Sequence, residues 1–310
     1  MIEVRDLVFD YPGLRALDRV SFVLEPQSIT ALVGPNGAGK TTLMRCIAAL
    51  EVPFSGGASI DGRDVQDDPR EIHNKIGYLP DFFGLYDQLS VEQCLTYRAG
   101  AQAIPANERA AAVRWAVERV ELGDRLGQPA GELSRGLRQR LAIAQAIIHR
   151  PQVVLLDEPA SGLDPEARGR LAQVLLGLRE DGMTLLVSSH ILAELQDYSS
   201  HMLILRDGRL VDHRPVGPSA GAGGDTGTAR MVVRLSAADE RLGAVLEGAE
   251  AVEAVTLNGT WARFAFSGGA EEQRQLLRRL VEAGLPVCGF AMEQENLQET
   301  YLARLRQEGP

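Results

Sequence analysis

The 310-residue chain reads as an α/β protein built on a parallel sheet, followed by a small α+β domain. Three features of the sequence point there. The apolar run Ile29-Thr30-Ala31-Leu32-Val33 passes through a glycine-rich turn into a helical stretch over 43–50, the strand, turn and helix order of an α/β unit. Two further apolar runs, Val153–Leu156 and 184–187, have the length and the lack of alternation expected of strands covered on both faces. Over 215–228 the composition shifts to Gly, Pro, Ala and Ser, which marks a linker.

Taken in order, residues 1 to about 30 pattern as antiparallel strands. Ile2 and Val4 alternate with polar neighbours, and Phe22 and Leu24 repeat the pattern after the turn Tyr11-Pro12-Gly13. Residues 55–62 read as turn, short strand, turn, and Ile76-Gly77-Tyr78-Leu79-Pro80 as another short strand. A helical region over about 82–150 opens with the capping pattern Ser90-Val91-Glu92-Gln93 and continues over 110–122. After the two buried strands, 203–211 forms a hairpin around Asp207-Gly208. The expected division is a first domain at 1–214, a linker at 215–228 and a second domain at 229–310. In the second, strand 230–235, helix 237–247, strands 251–257 and 261–267, helix 270–283, strand 286–292 and a helix from about 297 follow one another. The βαββαβ core of that order suggests a split βαβ domain.

Composition narrows the function. No stretch approaches the roughly 20 apolar residues a membrane span needs, and Met1-Ile2-Glu3-Val4-Arg5 is not a signal peptide, so a cytoplasmic chain is expected. The cysteines Cys46, Cys94 and Cys288 are odd in number and far apart, which predicts buried free thiols. A net charge of −10 argues against a protein that coats nucleic acid, and no nucleic-acid partner is expected.

Of the 32 basic residues only Lys40 and Lys75 are lysines, and Lys40 closes the run Gly34-Pro35-Asn36-Gly37-Ala38-Gly39-Lys40-Thr41-Thr42. The run fits G-x-x-x-x-G-K-[ST] between a strand and a helix, where glycines let successive N–H groups turn around an anion. In this pattern the compact ammonium of Lys40 reaches the β/γ-phosphates of a nucleoside triphosphate and the Thr41 hydroxyl binds Mg²⁺, with Thr42 one place further on. A second candidate anion site stands at Leu133-Ser134-Arg135-Gly136-Leu137-Arg138-Gln139-Arg140. There Ser134 is a natural N-cap, and Leu137, Leu141, Ala144 and Ile148 keep helical spacing.

With these motifs the chain resembles the nucleotide-binding subunits of ABC transporters over residues 1 to about 215. The glycine loop at 34–41, the signature at 133–139, Leu155-Leu156-Asp157-Glu158-Pro159, Ser161-Gly162-Leu163-Asp164 and Ser188-Ser189-His190 occur in that family's order. The resemblance implies a P-loop ABC ATPase with a RecA-like parallel core, an N-terminal antiparallel β-subdomain and a helical subdomain. It further implies that Asp157 holds Mg²⁺, that Glu158 is the general base for the attacking water, and that His190 contacts the γ-phosphate. On this basis the catalytic residues are Lys40, Glu158 and His190. Adenine is expected to stack on Tyr11, and Ser134, Arg135 and Gly136 to complete the ATP site of a second copy. The two adjacent carboxylates are expected to point apart because side chains alternate along a strand. His149, at a helix C-terminus, is expected to suit the helix dipole when charged.

Two positions depart from the family pattern. Asp81 stands where a glutamine is usual, so a Mg²⁺ contact there would come from a carboxylate, and the signature is Ser-Arg-Gly-Leu. Both variants resemble ABC-2-type exporters, as does, more weakly, Asn296-Leu297-Gln298-Glu299-Thr300-Tyr301-Leu302. The resemblance implies a homodimer on the cytoplasmic face of the membrane, integral membrane permease partners, and the cofactors ATP and Mg²⁺. The aromatic segment 81–89 is expected either to receive a helix of the permease or to form local core. A non-transport ABC ATPase acting on ribosomes or DNA is the alternative.

Overall fold

The structure, a computed structural model, describes residues 1–189, 195, 198–216, 229–249 and 251–292. His190, residues 217–228, the 296–302 segment and the helix expected from about 297 lie outside the described residues. The chain divides into two compact units, Met1–Pro215 and Val216–Pro310.

In the first unit β1 (Ile2–Tyr11) and β2 (Leu14–Leu24) pair antiparallel, with Ile2 opposite Leu24 and Val4 opposite Phe22. The four residues are buried, so the alternation is the inward face of a sheet. With β3 (Ile29–Val33) and α1 (Lys40–Ile47) comes the strand, turn and helix unit, every residue of β3 being buried. Next, β4 (Ser55–Ile60) and β5 (Arg63–Asp64) extend the first sheet to the order β2-β1-β4-β5. No hydrophobic periodicity marks α2 (Pro69–Lys75), whose only buried residue is Ile72. A cap and not a stripe defines it: the Asp68 side chain accepts from the N–H groups of Arg70 and Glu71, and Pro69 opens the first turn.

The strand β6 (Ile76–Leu79) leads into three helices, α3 (Val91–Ala101), α4 (Arg109–Arg119) and α5 (Arg135–Ile147). The capping box on Ser90 and Gln93 is present in full. After β7 (Val153–Leu156) and α6 (Pro165–Glu180), the strands β8 (Thr184–Ser189), β9 (His201–Arg206) and β10 (Arg209–Pro215) finish the unit. The second sheet runs β10-β9-β3-β8-β7-β6, parallel throughout except for β10 at the edge. The β9–β10 turn has φ of +48° at Asp207 and +76° at Gly208, the doubly left-handed pattern of a tight hairpin.

This parallel register positions the site. Val33 lies level with Ser189, and Leu156 with Val187 and Leu79. The glycine loop, the Asp157-Glu158 pair and the Pro80-Asp81 segment therefore all leave the sheet at one edge, the carboxyl ends of its strands.

The second unit consists of β11 (Ala229–Leu235), α7 (Arg241–Glu247), β12 (Val252–Asn258), β13 (Trp261–Phe266), α8 (Ala270–Glu282) and β14 (Val287–Met292). Its antiparallel sheet has the order β12-β13-β11-β14. Met231, Val233, Phe264 and Phe266 pack with Leu242, Leu246, Leu276 and Leu280 of the two helices. The helix expected from 237 starts at 241, because the Asp239 side chain accepts from the Arg241 N–H and holds the preceding residues in a turn. One cysteine corrects the expectation of buried thiols. Cys46 and Cys94 are buried, but Cys288 is exposed near the irregular end of the β11–β14 ladder. Burial pushes the Cys46 thiol up to about 12, which leaves it unreactive.

Candidate functional site

The glycine loop owes its path to close approach. A Cβ on Gly34 would lie 2.3 Å from the Leu205 carbonyl oxygen, and Gly39 has φ +102° with the Ala16 carbonyl 2.7 Å from where a Cβ would stand. Neither position accepts a side chain. The turn delivers Lys40 as the first residue of α1, 7% exposed, with Nζ donating to the Gly34 carbonyl at 2.8 Å and the Pro35 carbonyl at 3.4 Å. The same ammonium stands 3.4 Å from Glu158 Oε1, both side chains being largely buried.

Asp157, 1% exposed, is gripped on both oxygens. Thr41 Oγ1 donates to Oδ2 at 2.6 Å and Ser188 Oγ donates to Oδ1 at 2.6 Å. Ser188 also accepts from the Glu158 N–H at 2.8 Å, so one buried hydroxyl positions both acidic residues. Ser188 had no assigned role from sequence, although a serine pair closing an apolar strand is the available signal.

The pleat does not set the carboxylates apart, contrary to expectation. The strand β7 ends at Leu156, and Glu158 has φ +50°, a left-handed conformation uncommon for a residue with a side chain. That backbone turn aims Glu158 toward Lys40 while Asp157 faces Thr41. Backbone strain of this kind, at about 1–3 kcal/mol, persists where neighbours over-determine it, and the Ser188 and Lys40 contacts do so here. The oxygens of Thr41 and Asp157, adjacent and of hard donor type, fit a small divalent cation such as Mg²⁺.

Tyr11 is 38% exposed at the end of β1, its ring edge-on to Phe9 at 4.9 Å and its hydroxyl 3.5 Å from Thr42 Oγ1, so it borders the glycine loop. Asp81 and Glu158 line one cleft of about 530 Å³ together with Arg135, Arg138 and Ser161. Ser134 lies elsewhere. It caps α5 with a 3.4 Å bond from the Leu137 N–H and, with Gly136, lines a separate cleft of about 320 Å³ bordered by Arg140, Asp164 and Arg170. No residue of 34–42 lines that second cleft.

His149 corrects another expectation. Its Nε2 meets the Ile76 carbonyl at 3.1 Å, and burial pulls its pKa down to about 4, so at neutral pH it carries no charge to interact with a helix dipole. In the aromatic segment Phe82 is 91% exposed and Tyr86 57%, the latter edge-on to Tyr97 at 5.4 Å, so these rings are not local core.

Against known proteins, the family model described as ABC transporter matches residues 17–161. The chain is 36% identical over 210 residues to the probable multidrug ABC transporter ATP-binding protein YbhF of Escherichia coli (strain K12), covering 68% of this chain and 36% of that one. It thus spans little more than a third of YbhF. It is 33% identical over 199 residues to the ABC transporter ATP-binding protein NatA of Bacillus subtilis (strain 168), covering 64% of this chain and 81% of NatA. A solved structure of an ATP binding subunit of an ABC transporter matches with a TM-score of 0.62 and 31% identity, over 69% of this chain and 90% of that one.

Proposed function

The chain belongs to the ATP-binding subunits of ABC transporters, ATPases that use ATP with Mg²⁺, and on that premise we propose that it powers export through separate membrane subunits. Two copies close around ATP and reopen after hydrolysis. The division of the site supports this best. Lys40, Thr41, Asp157 and Glu158 meet within one chain, whereas the cleft at Ser134 contains none of the glycine loop. A second copy is then the source of the missing half: its Ser134 and Gly136, with the Arg135 between them that also borders the cleft of its own Glu158, face the nucleotide held at 34–42.

In this reading each residue has a task that its surroundings suit. Lys40 exchanges its carbonyl contacts for phosphate oxygens, and Tyr11 stacks on the base. Thr41 and Asp157 hold Mg²⁺, which when bound neutralises phosphate charge, with Asp81 as a further oxygen donor. Glu158 takes a proton from the attacking water as general base, and His190 completes the phosphate contacts. Phosphoryl transfer asks the protein chiefly for positioning and charge stabilisation, so joining the half-sites links hydrolysis to movement. Swinging closure from 1:99 to 99:1 requires about 5.5 kcal/mol of differential binding, against the repulsion of two chains of charge −10.

Among the described residues no helix is long and apolar enough to cross a membrane, so the membrane step is assigned to permease partners. The exposed Phe82 and Tyr86 are the proposed contact with a cytoplasmic helix of such a partner, which holds the chain at the cytoplasmic face of the membrane. Export is preferred because Asp81 and the Ser-Arg-Gly-Leu signature resemble ABC-2-type exporters. The test is steady-state ATP hydrolysis by the chain beside Lys40→Ala and Glu158→Gln. Turnover lost in both variants is expected, and equal turnover in all three would overturn the assignment.

A further inference from the structure

We propose that the outward face of the second unit's sheet is a docking surface for an acidic protein segment that lies extended along β11. The two helices pack on the other face, against Met231, Val233, Phe264 and Phe266. Side chains alternate along a strand, so the residues between these four point away from the helices. They form three rows: Arg230 beside Ala265, Arg263 beside Val232 and Ala291, and Trp261 beside Arg234 and Gly289. Arg230, Arg234 and Arg263 are all exposed.

Charge is sorted between the two faces. On the helical side Arg241 pairs with Asp239, Arg274 with Glu271 and Arg278 with Glu282, while Arg279 donates to the Gly248 carbonyl. Among the described residues, neither Arg230 nor Arg234 has a carboxylate within ion-pair distance. Glu253 is the one acidic side chain of the described outward rows, and Ala265 stands between it and Arg230. Arg263 lies over the Trp261 ring, its guanidinium carbon 4.8 Å from the centroid, which places a charge and an aromatic surface together on β13. Around them Ala265, Gly289 and Ala291 are small, so another chain can approach the sheet closely.

The spacing selects the partner. Arg230 and Arg234 lie on one strand about 13 Å apart at the usual rise, and Arg263 is level with their midpoint on the neighbouring strand. An extended segment has the same two-residue repeat, so acidic side chains at alternate positions i, i+2 and i+4 fall opposite the three guanidiniums. Arginine forks match carboxylates, and Trp261 gives the segment an apolar surface to lie on. Long polyanions meet a different field. A nucleic acid or an anionic bilayer extends past this patch over a chain of net charge −10, whereas a short segment senses chiefly the charges within a Debye length of about 10 Å. A short acidic stretch of a partner protein is therefore the occupant that the face fits.

Fluorescence anisotropy of the full chain with a short labelled peptide of alternating glutamate and threonine tests the surface without nucleotide. Saturable binding that weakens with added salt is expected, and about 10-fold weaker binding in the double variant Arg230→Glu, Arg234→Glu. The same change of charge on the helical side, Arg274→Glu with Arg278→Glu, should leave the affinity unchanged. An equal loss there would reduce the effect to net charge and overturn the docking surface. A peptide of the same composition with its glutamates in one block should bind less tightly, and equal binding would overturn the extended register. Arg230→Gln with Arg234→Gln, a milder change to the sheet, should give an intermediate loss, and wild-type affinity in both double variants would overturn the proposal. Tighter binding of oligothymidylate or of phosphatidylglycerol vesicles than of the peptide would overturn it in favour of a nucleic acid or a membrane.

Discussion

The floor of the proposed nucleotide site and the signature turn are built to opposite standards. At the floor, Lys40, Asp157 and Ser188 are nearly buried, and Thr41, Asp157, Ser188 and Glu158 form a continuous series of bonds at 2.6–2.8 Å. At the signature, Ser134 is exposed and its side chain makes one cap bond at 3.4 Å. The floor is tightly bonded within the chain, whereas the turn keeps a hydroxyl and a helix start at the surface. A surface kept available in this way suits a group arriving from outside the chain, which is why the account needs a second copy.

Substitutions test that contrast most sharply at the floor. Asp157→Asn should cut hydrolysis by about 100-fold or more, since it removes the charge from the proposed metal ligand and mismatches both hydroxyl donors. ATPase rates titrated against Mg²⁺ check this, and a variant rescued by excess Mg²⁺ would locate the loss in metal binding. Stability reports on the far end of the same sheet, where His149 meets the first residue of β6. Because the folded protein holds His149 near 4 against an ordinary 6.5, it takes up that proton less readily than the unfolded chain. Stability therefore falls as pH drops from 6.5 towards 4, by up to about 3 kcal/mol. Urea denaturation at pH 7 and pH 4.5 should show a smaller acid loss in His149→Gln than in wild type.

Tyr11→Ala should weaken ATP binding by about 1–3 kcal/mol, the usual worth of stacking a base on an aromatic ring, with Tyr11→Phe close to wild type. Equilibrium binding of a fluorescent ATP analogue measures it. The smallest structural effect belongs to the signature. Ser134→Ala removes a cap worth about 0.5–1 kcal/mol of stability, yet it should lower turnover far more than it lowers nucleotide binding to the separate chain. Comparable losses in both would place Ser134 beside its own glycine loop and break the contrast.

The parts legible in the sequence are those governed by short-range rules. Ile29-Thr30-Ala31-Leu32-Val33 and Val153–Leu156 are strands because unbroken apolar runs of that length are covered on both faces, and the glycine loop was recognisable from spacing alone. Ser90 and Gln93 announced their helix by the same local logic. What stayed hidden depends on partners distant in sequence. The role of Ser188 arises only when β8 brings it beside Asp157, 31 positions away, and a bond from the Arg135 side chain to the Ser161 carbonyl spans 26. The neutral His149 follows from burial against the Ile76 carbonyl, which helix position does not reveal. The direction of Glu158 comes from a left-handed residue just past the strand, a conformation no propensity favours for glutamate.

The central claim is that one chain holds half of each catalytic site. Analytical ultracentrifugation of Glu158→Gln with saturating ATP and Mg²⁺ tests it most directly. Slowed hydrolysis should trap a dimer that dissociates when ADP replaces ATP and that fails to form when Lys40→Ala is added. A Glu158→Gln chain that binds ATP and remains monomeric would contradict the account.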